Sequence, residues 1–211
     1  MSGTVCGRFV RRASFAGGID RYALDVVDER LGAWQPATLE ERVDRMESYA
    51  AIQQLVSRYA RALDARDMDT LVALFHPDVR VGAEQRGREA LKVWMSDVMS
   101  QMRTSVHLVA NHVIDFVDAD HATGVVYCRD ELERPDRDEW AVGAIQYWDE
   151  YVRVEGEWCI NRRSLYRWYM VDALERPAPG AGVNPFSDHI RERLLPDAYP
   201  TWAEFWDTRA G

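Results

Sequence analysis

Tyr59, Asp64 and His107 are a phenol, a carboxylate and an imidazole, side-chain types that can donate, hold and take a proton near neutral pH. Tyr59 lies inside the stripe Ile52, Leu55, Val56, Tyr59, Ala60 and Leu63. At helical spacing it points inward, where a satisfied core hydroxyl and a ligand-facing donor are both open. Asp64 stands at the edge of that stripe near the helix C-terminus, where the helix dipole disfavours a carboxylate. Either a solvated helix end or a carboxylate turned inward to hold His107 answers that. His107 shares one strand face with Ser105, Val109, Asn111 and Val113, while His112 lies on the other with Val106, Leu108, Ala110, Ile114 and Phe116. Both faces are largely apolar, so periodicity leaves open which one lines the interior, and a lone histidine on such a strand is more often a core residue than a catalyst. Strict alternation keeps His107 and His112 apart, so they cannot share a metal ion. His76, His121 and His189 fall at breaks or in the tail and are expected at the surface.

Two adjacent arginines, Arg162 and Arg163, fall on a late strand. A two-residue turn at Glu155-Gly156 pairs Val154 with Glu157 and so Asp149 with Arg162, leaving Arg163 on the opposite side beside Trp148. A bulge exchanges the two arginines.

Helices and strands can be read around these groups. A long amphipathic helix runs from about Thr38 to Asp64. Asp67 caps a short helix carrying Leu71, Val72, Leu74 and Phe75, which His76-Pro77-Asp78 ends. A strand is expected near Val79–Val81 and a third helix over Arg88–Gln101, with Leu91, Trp94, Met95, Val98 and Met99 inward. The period then falls to two over Ser105–Val117, Ala122–Leu132, Trp140–Val154 and Trp158–Trp168, separated by hairpin-type breaks. Helices followed by an antiparallel meander predict an α+β fold, helices on one sheet face, in which long coiling strands make a cone around an apolar pocket. Residues 1–40 read as an N-terminal extension with one short helix, 41–175 as the domain, and 176–211 as a Pro/Gly linker and a tail. In the tail, Thr201 and Glu204 form a capping box beside Trp202, Phe205 and Trp206, rings too apolar to stay undocked.

Bulk properties narrow the class. The length of 211 residues suits one domain with extensions, and a net charge of -9 argues against nucleic acid or an anionic membrane as partner. Cys6, Cys128 and Cys159 are odd in number and lack CxxC spacing, so neither a disulfide framework nor a zinc site is expected. Arg11-Arg12 is followed by an apolar stretch broken by Asp20, Arg21 and Asp25, which disfavours export and favours the cytoplasm. Eight Trp and nine Tyr point to a ring-lined pocket or a broad interface. Rings such as Tyr147 and Tyr151 on an open sheet face predict a homodimer or higher homo-oligomer packed through the sheets.

Ile52–Asp64, Leu71–Asp78, Gly87–Leu91, Val106–Asn111 and Trp158–Arg163 resemble, in order and spacing, SnoaL-like proteins of the nuclear transport factor 2 superfamily. The resemblance spans about residues 43–172 and is nearest the branch holding scytalone dehydratase, bile-acid dehydratase and hexachlorocyclohexane dehydrochlorinase. It implies a His-Asp dyad inside the cone, with His107 as base, Asp64 fixing its tautomer, Tyr59 donating to a developing enolate, and Arg163 stabilising an oxyanion or leaving group. Phe75, Trp94, Asn111, Tyr127 and Trp148 are expected to bind substrate. The implied function is a cofactor-free and metal-free lyase or isomerase, elimination of water favoured, acting on a hydrophobic polycyclic or terpenoid-like molecule. The same cone also serves as a non-catalytic binding or subunit-association module, which needs no dyad. Fold alone does not decide between them.

Overall fold

A computed structural model describes residues 34–134, 139–174, 182, 193–195, 198–199, 201–202 and 207. The short helix expected within residues 1–40, Cys6, His189 and the Glu204 half of the tail capping box lie outside these residues.

Helix α1, Leu39–Asp64, starts where Thr38 and Glu41 cap each other: the Glu41 amide donates to the Thr38 hydroxyl and the Thr38 amide to the Glu41 carboxylate. Its inward stripe, from Ile52 through Leu63, is buried as the spacing requires. Asp67 caps α2, Met68–Ala73, by accepting from the Thr70 amide. Two short strands, β1 Arg80–Val81 and β2 Gln85–Arg86, form a small hairpin, of which β2 is not expected from the sequence. Two residues leave too little alternation to read. Gly87, at φ 91, then turns the chain into α3, Arg88–Ser100, which buries Leu91, Met95, Val98 and Met99.

The remaining strands, β3 Ser105–Phe116, β4 His121–Arg134, β5 Glu139–Val154 and β6 Glu157–Asp172, form one antiparallel sheet in the order β3-β4-β5-β6. It is not closed into a barrel. The three helices cover its inner face, and the cone-like α+β class follows the sequence reading. Glu155 and Gly156 both take positive φ, 52 and 87, the geometry of a two-residue turn whose twist suits the β5–β6 hairpin.

Bulges decide which side chains point inward. β3 slips between Val109 and His112, so the inward row reads Ser105, His107, Val109, His112, Ile114 and Phe116, opposite Leu132, Asp130, Cys128, Val126, Gly124 and Ala122 of β4. His107 and His112 therefore share one face, correcting the expectation from strict alternation. A second bulge between Glu150 and Tyr151 pairs Arg163 with Asp149 and Arg162 with Glu150. Arg163 is thereby inward but stands against Tyr147 rather than beside Trp148. Tyr147 and Tyr151, expected as exposed rings, are buried in the inner core at 3% and 1% exposure.

The outer face has its own aromatic cluster. Trp148 stacks on Tyr166 at 4.3 Å, Leu194 bridges to Arg167 at the β6 edge, and the Tyr199 hydroxyl donates to Gln146 Oε1 at 2.7 Å. Leu195, Ala198, Tyr199 and Trp202 thus dock on the side of the sheet away from the helices.

Candidate functional site

Asp64 is the last residue of α1, and three hydrogen bonds hold it inward. Its Oδ1 faces His107 Nδ1 at 2.7 Å and accepts from Ser105 Oγ at 2.9 Å; its Oδ2 accepts from the His107 amide at 2.9 Å. A further link is indirect: Arg66 Nη1 donates to Ser105 Oγ at 2.7 Å, which leaves the Ser105 proton for Asp64. Burial works to raise the Asp64 carboxyl, but the hydrogen bonds from the His107 ring and amide, with Ser105, hold it below the ordinary carboxylate range. An ionised acceptor at Nδ1 puts the ring proton there and leaves Nε2 with a bare lone pair. The His107 side chain keeps 8% exposure, which hides the ring from bulk water without sealing it.

Directly across the β3–β4 ladder from His107 lies Asp130, at 1% exposure. Its Oδ1 has no hydrogen-bond partner among the described residues, and burial pushes its carboxyl up to about 6, with the His107 charge opposing. Gly143 makes room for it: a Cβ there would lie 2.1 Å from Asp130 Oδ1. Sequence reasoning misses this residue. Its signal is available only through register, as an acidic residue opposite the histidine on a strand whose alternate positions Leu132, Cys128 and Val126 are apolar.

Deeper along the same face is a second polar group. Arg163 Nε and Nη2 bind the two Asp149 oxygens at 2.8 and 2.6 Å, a bidentate pair sunk in the core. Burial opposes the guanidinium charge, yet Asp149 holds its pKa well above the ordinary value. The guanidinium carbon lies 4.1 Å from the Tyr59 ring centre and 4.2 Å from that of Tyr147, and Nη1 makes no hydrogen bond among the described residues. Tyr151 donates to Asp149 Oδ2 at 2.7 Å and meets His112 Nε2 at 3.2 Å, so His112 carries its proton on Nε2. Burial depresses the His112 pKa to about 4, and the ring stays neutral. Cys128 sits between the two groups, its thiol pushed up to about 12 by burial and by Asp130, an inert spacer rather than a nucleophile.

Of the residues expected to bind substrate, Phe75 packs against Tyr59, ring centres 6.0 Å apart, and Trp94 lines the core half-buried on α3. The other three depart from expectation. Asn111 is expelled to the surface by the β3 bulge, Tyr127 faces outward toward Tyr199, and Trp148 stacks in the outer cluster. Each sits on the side opposite the Asp64–His107 pair because one bulge, or the parity of its strand, turns it there. Among the described residues, no group of three or more His, Cys, Asp and Glu could hold a metal ion. No described helix is long and apolar enough to cross a membrane.

Several known proteins resemble this chain in sequence or fold. An uncharacterized protein of Mycobacterium tuberculosis, Rv2910c, is 30% identical over 132 residues, 60% of this chain and 86% of that protein. A scytalone dehydratase-like protein of Novosphingobium aromaticivorans superimposes with a TM-score of 0.56 at 25% identity, covering 68% of this chain and 99% of the other. The hexachlorocyclohexane dehydrochlorinase LinA-type3 of Novosphingobium barchaimii reaches 0.58 at 23% identity over 64% of this chain and 97% of its own, a likeness of fold. The SnoaL-like domain profile matches residues 44–164, from within α1 to within β6, which takes in the Asp64–His107 pair, Asp130 and Arg163. The chain therefore belongs to the SnoaL-like family, in the nuclear transport factor 2-like fold.

Proposed function

We propose that this protein is a lyase or isomerase that takes a proton from carbon on a hydrophobic substrate, with elimination of water as the favoured outcome. The observation that carries the reading is the Asp64–His107 contact of 2.7 Å, in which every donor around Asp64 favours its ionised form and so directs the bare Nε2 outward as the base. Asp64 steadies the imidazolium that forms. Arg163, charged and with an uncommitted Nη1 beside Tyr59, suits a developing enolate oxygen or a departing hydroxide. Tyr59, whose hydroxyl burial holds protonated against the pull of Arg163, serves as a donor rather than a base. Asp130 adds a carboxyl that protonates within the working range and lies across the ladder from His107, fitted to hand a proton to a leaving group. The chemistry needs no bound cofactor or metal, and Phe75 and Trp94 supply apolar walls.

The experiment is solvent exchange. Polycyclic ketones and β-hydroxyketones incubated with the protein in deuterium oxide should gain deuterium at the carbon next to the carbonyl, or lose water, with wild type and not with His107→Ala. A panel that wild type and His107→Ala treat alike, while still binding, favours the non-catalytic binding module instead.

We also propose a homo-oligomer formed through the outer sheet face. Val106, Leu108 at 54% exposure, Val113 and Tyr127 project from it, and Leu108 and Tyr127 line a groove of about 630 Å³ together with Ala110 and Trp168. A second copy laid sheet to sheet covers these side chains.

A further inference from the structure

Arg66 occupies a backbone position made for glycine. Helix α1 ends with the Asp67 amide bonded to Ala62 O at 2.9 Å and the Arg66 amide to Leu63 O at 3.0 Å, and between them Arg66 takes φ 58. That is the left-handed helix terminus in which glycine is preferred because it has no Cβ to crowd the following carbonyl. An arginine there must gain from its side chain. The gain is visible: Nη1 donates to Leu63 O and Ser105 Oγ, both at 2.7 Å, and Nη2 to Met102 O at 2.9 Å. The carbonyl contacts bind the end of α1 to the segment entering β3. The contact with Ser105 does something else. A hydroxyl that accepts from a guanidinium turns its own proton away, and the acceptor waiting at 2.9 Å is Asp64 Oδ1.

We propose that Arg66 is the positioning residue of the dyad: through Ser105 it directs a charge-assisted hydrogen bond into Asp64 Oδ1 and so holds the carboxylate ionised and aligned on His107 Nδ1. The inference rests on the proposed acid–base function of that pair, but the arrangement can be tested without a substrate. Burial works to lower the Arg66 pKa and the Asp64 charge opposes it, so the two groups sense each other.

Arg66→Gly is the decisive variant because glycine keeps the backbone geometry and removes only the side chain. The Asp64 carboxyl is followed by carbon-13 NMR across an acid titration in the full-length protein. Its midpoint should rise by about one pH unit, a tenfold change in proton affinity and about what one charge-assisted hydrogen bond supplies. Ser105→Ala, which spares all of the Arg66 carbonyl contacts, should shift the midpoint in the same direction, and Arg66→Lys should recover part of it. A midpoint unmoved in folded Ser105→Ala shows that Arg66 is only a staple between α1 and β3, and overturns the proposal. Should Arg66→Gly not fold, Arg66→Asn, whose side chain also tolerates the left-handed backbone, takes its place in the same titration. A shifted midpoint in a protein with no elimination activity would sustain this inference while removing the proposed function.

Discussion

Replacing Asp130 with asparagine should flatten a pH dependence that the wild-type protein carries. The carboxyl is buried across from His107, its Oδ1 has no partner among the described residues, and its pKa is displaced from 3.8 to about 6. Burial is the main cause; Asp64 adds to it, while His107 and Arg129 pull the other way, and Cys128 faces the same group. With the folded pKa above the unfolded one, the native state binds the extra proton between those values, so stability falls as pH rises through that window and is level above it. A displacement of that size corresponds to about 3 kcal/mol for a fully buried group. Urea unfolding at pH 4 and pH 7.5 measures most of it: because the unfolded carboxyl is already more than half ionised at pH 4, the stability of Asp130→Asn relative to wild type should improve by about 2.4 kcal/mol between the two, or about 5–10 °C in Tm for a chain of this size. A relative stability constant to within about 0.5 kcal/mol, the scatter of an ordinary surface change, would refute the argument that Asp130 is an unpaired interior carboxyl.

Gly143→Ala forces a methyl to within 2.1 Å of Asp130 Oδ1 and 2.6 Å of Met170 Cε, so it should cost about 1–3 kcal/mol as overpacking, read by the same urea titration. Arg163→Met leaves Asp149 buried without its cation and should cost about 3–5 kcal/mol, whereas the Arg163→Met, Asp149→Leu pair should recover most of it. Truncation before residue 183 removes Leu195 and Tyr199 from the outer aromatic cluster and should lower Tm while leaving turnover per folded molecule unchanged; a turnover collapse would instead make the tail a lid. Light scattering at micromolar concentration should give a dimer or larger, and Leu108→Glu with Val113→Glu should return a monomer of 24.3 kDa.

Much of this is legible in the sequence because the determining signals are local. The Ile52–Leu63 stripe, the Asp67 cap and the Glu155-Gly156 turn each need only neighbouring residues, and the corresponding elements lie where the sequence puts them. Asp64 is legible as a misplaced helix-end carboxylate whose partner has to come from elsewhere. What escapes depends on bulges. A bulge inserts a residue without any composition signal, and it inverts the parity of everything beyond it; that is why Asn111 leaves the interior, His112 enters it and Arg163 rather than Arg162 meets Asp149. Tyr127 and Trp148 escape for a related reason, since both sheet faces are aromatic and the outer one is partly covered by the tail. Asp130 requires the β3–β4 register, and the role of Ser105 requires the position of Arg66, neither of which one strand shows by itself.

In the proposed reaction, His107 Nε2 is a base made available by Asp64. Ring opening of 5-nitrobenzisoxazole tests it directly, because that reaction is proton removal from carbon, is followed by absorbance, and asks nothing about the natural substrate. Wild type should accelerate it over solution imidazole, and His107→Ala should lose the acceleration, with Asp64→Asn reduced by about 10²–10⁴, the range that a positioned base contributes. Equal rates for wild type and folded His107→Ala would show that His107 is not the base.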